Sequence, residues 1–199
     1  MRGLPLHSKP DNFLKRAQRR GVVGVPLVIA LLLLGGCQAS RVEHPLTDSL
    51  PADPVARQLE FWHGLENRPI TCNDEAFHGL LLFVQGDDES KDYDARVAEL
   101  KSLHLLAQGF NAPALEAVHR GTVASVLVRA LKIKGGWAMT LIGPTPRYAT
   151  RELMYLNLFP PSSPEQTFSG SEFVGIMGRA EDYQQGHPEE SHATDLSAK

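Results

Sequence analysis

Several things are scarce in this chain. Its 199 residues contain two cysteines, Cys37 and Cys72, too few for a disulfide framework. No run reaches the roughly 18 apolar residues that a permanent membrane helix needs; the longest candidate, Gly21 to Leu34, covers 14. No HExxH, GxSxG, phosphate-binding glycine loop or cysteine-pair pattern occurs. The histidines His63, His78, His104, His119, His187 and His192 are scattered without a ligand spacing. Gly170, Gly175 and Gly178 follow no strand, so they read as close helix packing and not as a nucleotide fingerprint. These absences point to no enzyme, no metal and no cofactor beyond covalent lipid. A basic stripe is missing too. Six of the 20 Lys/Arg but only one of the 23 Asp/Glu fall in residues 1–36, so the remainder holds 14 and 22, a net charge of −8. That balance excludes nucleic acid as an expected partner and argues against electrostatic attachment to anionic lipid.

What is present begins at the N-terminus. A basic head (Arg2, Lys9, Lys15, Arg16, Arg19, Arg20) precedes the apolar stretch, and small residues follow it. That is the order of a secretion signal. The junction Leu34-Gly35-Gly36-Cys37 resembles the lipobox of bacterial lipoproteins at every position. The resemblance implies cleavage after residue 36, palmitate-type acylation of the Cys37 thiol, and a membrane as partner through that anchor. Two or more acyl chains hold a protein stably where one does not. Gln38 stands where an Asp would signal inner-membrane retention. The expected place is therefore the cell envelope, leaning towards the outer membrane facing the periplasm in a Gram-negative cell. Residues 37–57 read as a polar tether. With Cys37 acylated, Cys72 has no partner in its own chain and is expected to be buried and inert; pairing between chains is the other outcome.

The expected fold class is all-α, a bundle of about six helices over residues 58–183, with one short β-like segment at WAMTLIG (137–143). Asp53-Pro54 opens the first helix. Asn73-Asp74-Glu75 caps the second. The third starts near Asp92 and runs to Gly109, and the fourth spans Gly121 to Ile133 and is apolar almost all round. Pro144 and Pro146 precede a fifth. Ser169-Gly170-Ser171-Glu172 reads as a capping box for the last. Residues 184–199 lack apolar periodicity and are expected to be a disordered tail.

The chain also repeats itself. Glu99 to Leu106 (ELKSLHLL) returns as Glu152 to Phe159 (ELMYLNLF), 53 residues on. Each copy is followed by a loop containing a phenylalanine, Phe110 or Phe168, and then by a helix ending in Arg129-Ala130 or Arg179-Ala180. Two helix–loop–helix units are expected, about 92–133 and 145–183, neither able to bury its apolar face alone. His119-Arg120-Gly121-Thr122-Val123-Ala124 with Leu127 to Leu131, and Phe168-Ser169-Gly170-Ser171-Glu172-Phe173, resemble the Thr-Arg-Ala/Gly-Glu signature and second helix of the S-layer homology (SLH) module. The resemblance covers about 77–183. It implies an all-helical envelope module whose motif Arg helps hold an acidic cell-wall polysaccharide between units. The first copy has Thr122 where the family has Glu, and the second has Gly170 where it has Arg. Each therefore lacks half of the Arg/Glu pair, and two units stand where three are usual.

The residues that carry ligand-binding chemistry in this reading are Arg120, Arg129, Arg147, Tyr148, Arg151, Glu172 and Arg179. An Arg fork suits a glycan carboxylate and a Tyr stacks on a sugar ring. The competing role is structural: cations in last helical turns and surface ion pairs with Glu152. Asp88 to Asp94 with Glu99 has oxygen ligands at calcium-loop spacing, but Tyr93 occupies the position that needs glycine. A solvated acidic turn is expected there. The function expected is that of a lipid-anchored, non-catalytic envelope protein contacting cell-wall glycan or another envelope protein. The alternative is a protein–protein adaptor with an apolar helical groove.

Overall fold

Three helix starts in this chain are marked by Asp or Ser side chains that satisfy one of the first orphan N–H groups. In the computed structural model, which describes residues 40–136, 139, 141 and 143–187, α1 (Pro54–Glu66) has Asp53 accepting from the Ala56 N–H at 2.8 Å. At the head of α2 (Asn73–Gln85), the Cys72 N–H donates to Glu75 Oε2 at 3.1 Å. The cap is therefore Cys72, one residue before the Asn73 expected. Asp92 caps α3 (Tyr93–Ser102) through the Ala95 N–H. Thr145 precedes α5 (Pro146–Tyr155), where proline sits at the first position. The capping box of α6 (Gly170–Gly186) is in place: Ser169 Oγ accepts from the Glu172 N–H and Glu172 Oε2 from the Ser169 N–H. The remaining helix, α4 (Arg120–Ala130), has no side-chain cap. Its first N–H groups donate instead to the Gln166 and Pro164 carbonyls, at 2.7 and 2.8 Å.

The fold is all-α, and no strand occurs among the described residues. Met139 and Leu141 are helical, so the described part of WAMTLIG is not the β-like piece expected. The third helix ends at Ser102 and not at Gly109. His104 turns left-handed (φ 59°), and the Leu105 and Leu106 N–H groups both return to the Leu100 carbonyl. At the end of α5 the same bonds recur: Asn157 has φ 59°, and Leu158 and Phe159 both return to the Leu153 carbonyl. Leu100 and Leu153 are fully buried by these turns. The expected signal, Cys37 and the expected tail from residue 188 lie outside the described residues.

The helices pair as α2 on α3, α4 on α5, and α6 back on α1. Their interiors merge in one core containing Phe61, Phe77, Leu80, Leu127, Phe173 and Ile176. The segments entering α2, α4 and α6 also bond to one another. Thr71 donates to the Phe168 carbonyl, Val118 to Thr71, and Gly170 to Arg68, at 2.9–3.0 Å. Isolated bridges join Cys72 to Ala117 and His119 to Thr167. A Cβ on Gly170 would fall inside the Leu65 carbonyl, so this approach requires glycine.

The stretch expected to be a free tether is docked from Ser40 onward. The Ala117 N–H donates to the Ser40 carbonyl and Val42 to Leu115, both at 2.9 Å. The Leu46 N–H meets Glu75 Oε1, and the Arg68 guanidinium meets the His44 carbonyl at 2.7 Å. Leu46 and Leu50 pack on the core. Polar composition suggested a tether; backbone pairing and two leucines override it. At the other end, α6 carries Gln184–Gly186 into its last turn, three residues into the expected tail.

Candidate functional site

Of the seven residues named from sequence, the fold joins two directly. Arg120 at the head of α4 donates from Nη2 to Glu172 Oε1 at 2.6 Å. Its Nε donates to the Thr167 carbonyl at 3.0 Å and Nη1 to Ser162 Oγ at 3.1 Å. The guanidinium carbon lies 4.8 Å from the Phe168 ring centroid. Arg120 is 6% exposed. All three of its nitrogens are occupied by protein, so it has the contacts of a structural clamp and not those of a free ligand arm. Arg120 and Glu172, which the sequence places without a motif partner 52 residues apart, thus meet each other in one ion pair. The Ser169 N–H, outweighing the opposing effect of burial and seconded by Arg120, holds the Glu172 carboxyl below its ordinary range.

Arg129 and Arg179 take matching positions. Arg129 Nη1 donates to the Leu105 carbonyl at 3.1 Å, and Arg179 Nε to the Leu158 carbonyl at 2.8 Å. Both stitch a helix to the left-handed turn before it. Arg129 is also half-buried beside a cavity of about 300 Å³, where the loop after α3, the middle of α4 and the entry to α5 converge. Leu106, Phe110, Pro144 and Pro146 make its apolar wall, and Thr122 and Ser125 add hydroxyls. Burial pushes the Arg129 pKa down. Arg147 and Arg151 are exposed on α5 and have no ion-pair partner among the described residues, so the surface pairing with Glu152 does not form. Tyr148 is half-buried against the core.

Sequence reading missed a buried polar network. His78 Nδ1 lies 2.5 Å from Asp88 Oδ2. Arg96 donates from Nε to the same Asp88 oxygen and from Nη1 to Asp74 Oδ1, each at 2.6 Å. Thr47 Oγ1 donates to Asp74 from the docked N-terminal segment. Asp88, expected in a solvated turn, is buried. Burial alone would raise its carboxyl pKa; the hydrogen bonds from His78, Arg96 and Ser90 overcome that and hold it well below the usual carboxylate range. Burial would lower the Arg96 pKa, but its hydrogen bond to Asp88 and the Asp74 charge raise it. The available signal was Asp74 and His78, one turn apart on an otherwise apolar helix face. Among the described residues no group of three or more acids, histidines or cysteines is arranged to hold a metal.

Cys72 is fully buried, and burial, reinforced by Glu75, pushes its thiol up to about 12. A thiol so protonated is a poor nucleophile. Comparisons with family models, with characterised proteins and with solved structures find no match for this chain.

Proposed function

We propose that this chain is a lipid-tethered, non-catalytic cell-envelope protein built on SLH-like helical hairpins, which contacts a wall polymer or another envelope component. The observation that carries it is the lipobox-like sequence Leu34-Gly35-Gly36-Cys37, which precedes the all-α part in the chain. In support of the SLH-like part, α1–α2 precedes α3–α4 and α5–α6 as a third helix–loop–helix pair along the chain. The second helix of each pair packs on the first helix of the next, and α6 returns to α1. Three units is the number usual for such modules. Glu75 and Glu172 hold the same third position in α2 and α6 and bond the same backbone group.

Anchoring is tested by growing cells with a tagged palmitate analogue. The wild-type chain should be labelled and Cys37→Ser should not; labelling of both, or of neither, overturns the tether. Contact with wall polymer is tested by sedimentation with purified sacculi and their attached polymers. Of the arginines named from sequence, Arg147 and Arg151 are exposed and have no ion-pair partner among the described residues, so changing both to Ala should weaken retention. Exposure of Val55 and Leu59, 77% and 71%, one turn apart on α1, favours the second reading, an adaptor for an envelope protein. In that case purified sacculi do not retain the chain, whereas protein-containing envelopes retain it despite the arginine changes and lose it in Leu59→Lys.

A further inference from the structure

Arg129 is a partly desolvated cation without an anion. Buried charges are normally paired, yet no carboxylate lies within ion-pair distance of Arg129 among the described residues. Its hydrogen bonds go to carbonyls only. Nη1 serves Leu105 and Ser125 at 3.1 and 3.0 Å, and Nη2 reaches Pro144 at a long 3.4 Å. Nε has no acceptor among the described residues, and it is not among the buried atoms sealed without a partner. Nη1 is therefore filled, while the Nε–H and one Nη2–H remain. The Nε/Nη2 side of a guanidinium is the side-on fork that matches the two oxygens of a carboxylate. Arg179 provides the internal comparison. Exposed on its helix, it commits Nε to the Leu158 carbonyl and so closes the same fork.

The cavity beside Arg129 decides what kind of anion fits. Its volume, about 300 Å³, is at the lower end for small-molecule sites. Its walls are mainly Leu106, Ala107, Phe110, Pro144 and Pro146. A phosphate or sulfate would lose strong hydration against such walls, and a single fork would not replace it. A monocarboxylate with an apolar body loses less and fills the space.

We infer that the cavity between the loop after α3, α4 and the start of α5 is a binding site for a small apolar carboxylic acid, its carboxylate on the Nε/Nη2 edge of Arg129 and its body against Phe110, Leu106 and Pro146. The site goes beyond the envelope reading and stands whether or not Cys37 is acylated.

The test titrates the purified full chain with benzoate, and with benzyl alcohol as the neutral probe of similar shape, using ligand-observed NMR. Benzoate should bind saturably and benzyl alcohol at least about tenfold more weakly, the ratio expected for a charge-assisted hydrogen-bond pair. Arg129→Met should lose about the same factor. Because Arg129 also holds the Leu105 carbonyl, Ala107→Trp supplies a variant that fills the cavity from an exposed position; it should abolish benzoate binding while keeping the wild-type melting temperature. Arg179→Met should bind benzoate as the wild type does. Equal affinity for benzoate and benzyl alcohol, undiminished binding by Ala107→Trp, or no saturable benzoate binding would each overturn the assignment.

Discussion

The guanidinium of Arg120 and the carboxylate of Glu172 meet at 2.6 Å although 52 residues separate them in the chain. The contact ties the head of α4 to the head of α6, with Phe168 beneath the arginine. Arg120→Ala removes the bonds to Thr167, Ser162 and Glu172 together. The Glu172 side chain is 44% exposed, so its charge rehydrates and the loss comes chiefly from the stranded Thr167 carbonyl and the uncovered ring. A destabilisation of about 1–3 kcal/mol is expected in urea unfolding. Glu172→Gln keeps a capping acceptor and should cost under about 1 kcal/mol. Equal losses from the two changes would contradict this division.

Acid should loosen the fold through Asp88. Its pKa is lower folded than unfolded, held down by His78 and Arg96 against its own burial. A group depressed in this way contributes stability that is fully present above the unfolded value of about 4 and is lost as pH falls below it. Unfolding free energy should therefore drop from about pH 5 downward, and Asp88→Asn should flatten that slope while lowering stability at neutral pH. An unchanged slope in the variant, measured by denaturant melts across pH, would remove Asp88 from the account.

Gly170 has no room for a methyl group because the Leu65 carbonyl occupies the place of its Cβ. Gly170→Ala should therefore fail to fold, or melt with a loss above about 4 kcal/mol. Gly186→Ala has open space at the other end of the same helix and should be close to neutral. Circular dichroism melts distinguish the two directly.

The left-handed residues His104 and Asn157 end α3 and α5 in the same way. Left-handed backbone costs an L residue roughly 1–2 kcal/mol, and asparagine less than most. His104→Gly should stabilise the protein by about 0.5–1 kcal/mol, with a smaller gain for Asn157→Gly, in chemical denaturation. A loss of stability from His104→Gly would mean that its imidazole makes a contact worth more than the strain.

Local signals were the legible part of this protein. Asp53, Asp92 and Ser169 cap helices because a short polar side chain reaches an N–H three residues on, and that depends on nothing distant. The similar octets from Glu99 and Glu152 likewise report two identical turns, since Leu100 and Leu153 bury the same way. Cap position slipped by one residue at Cys72, where a glutamate three residues on satisfies the backbone in place of a polar cap. The run from Leu103 to Gly109 kept helical spacing on paper, but the left-handed turn at His104 stopped the helix early.

Sequence alone determined that the chain is helical, where most helices begin, and that its two cysteines are too few for a disulfide framework. These follow from periodicity, capping and composition, all of which are read from the chain without its contacts. Only the tertiary structure decided that Arg120 serves Glu172, that Asp88 is buried with His78 and Arg96, that residues from Ser40 dock, and that Arg129 lines a cavity. Each depends on residues brought together from separate helices, where the same side chain is a ligand arm in water and a structural clamp when its donors meet carbonyls.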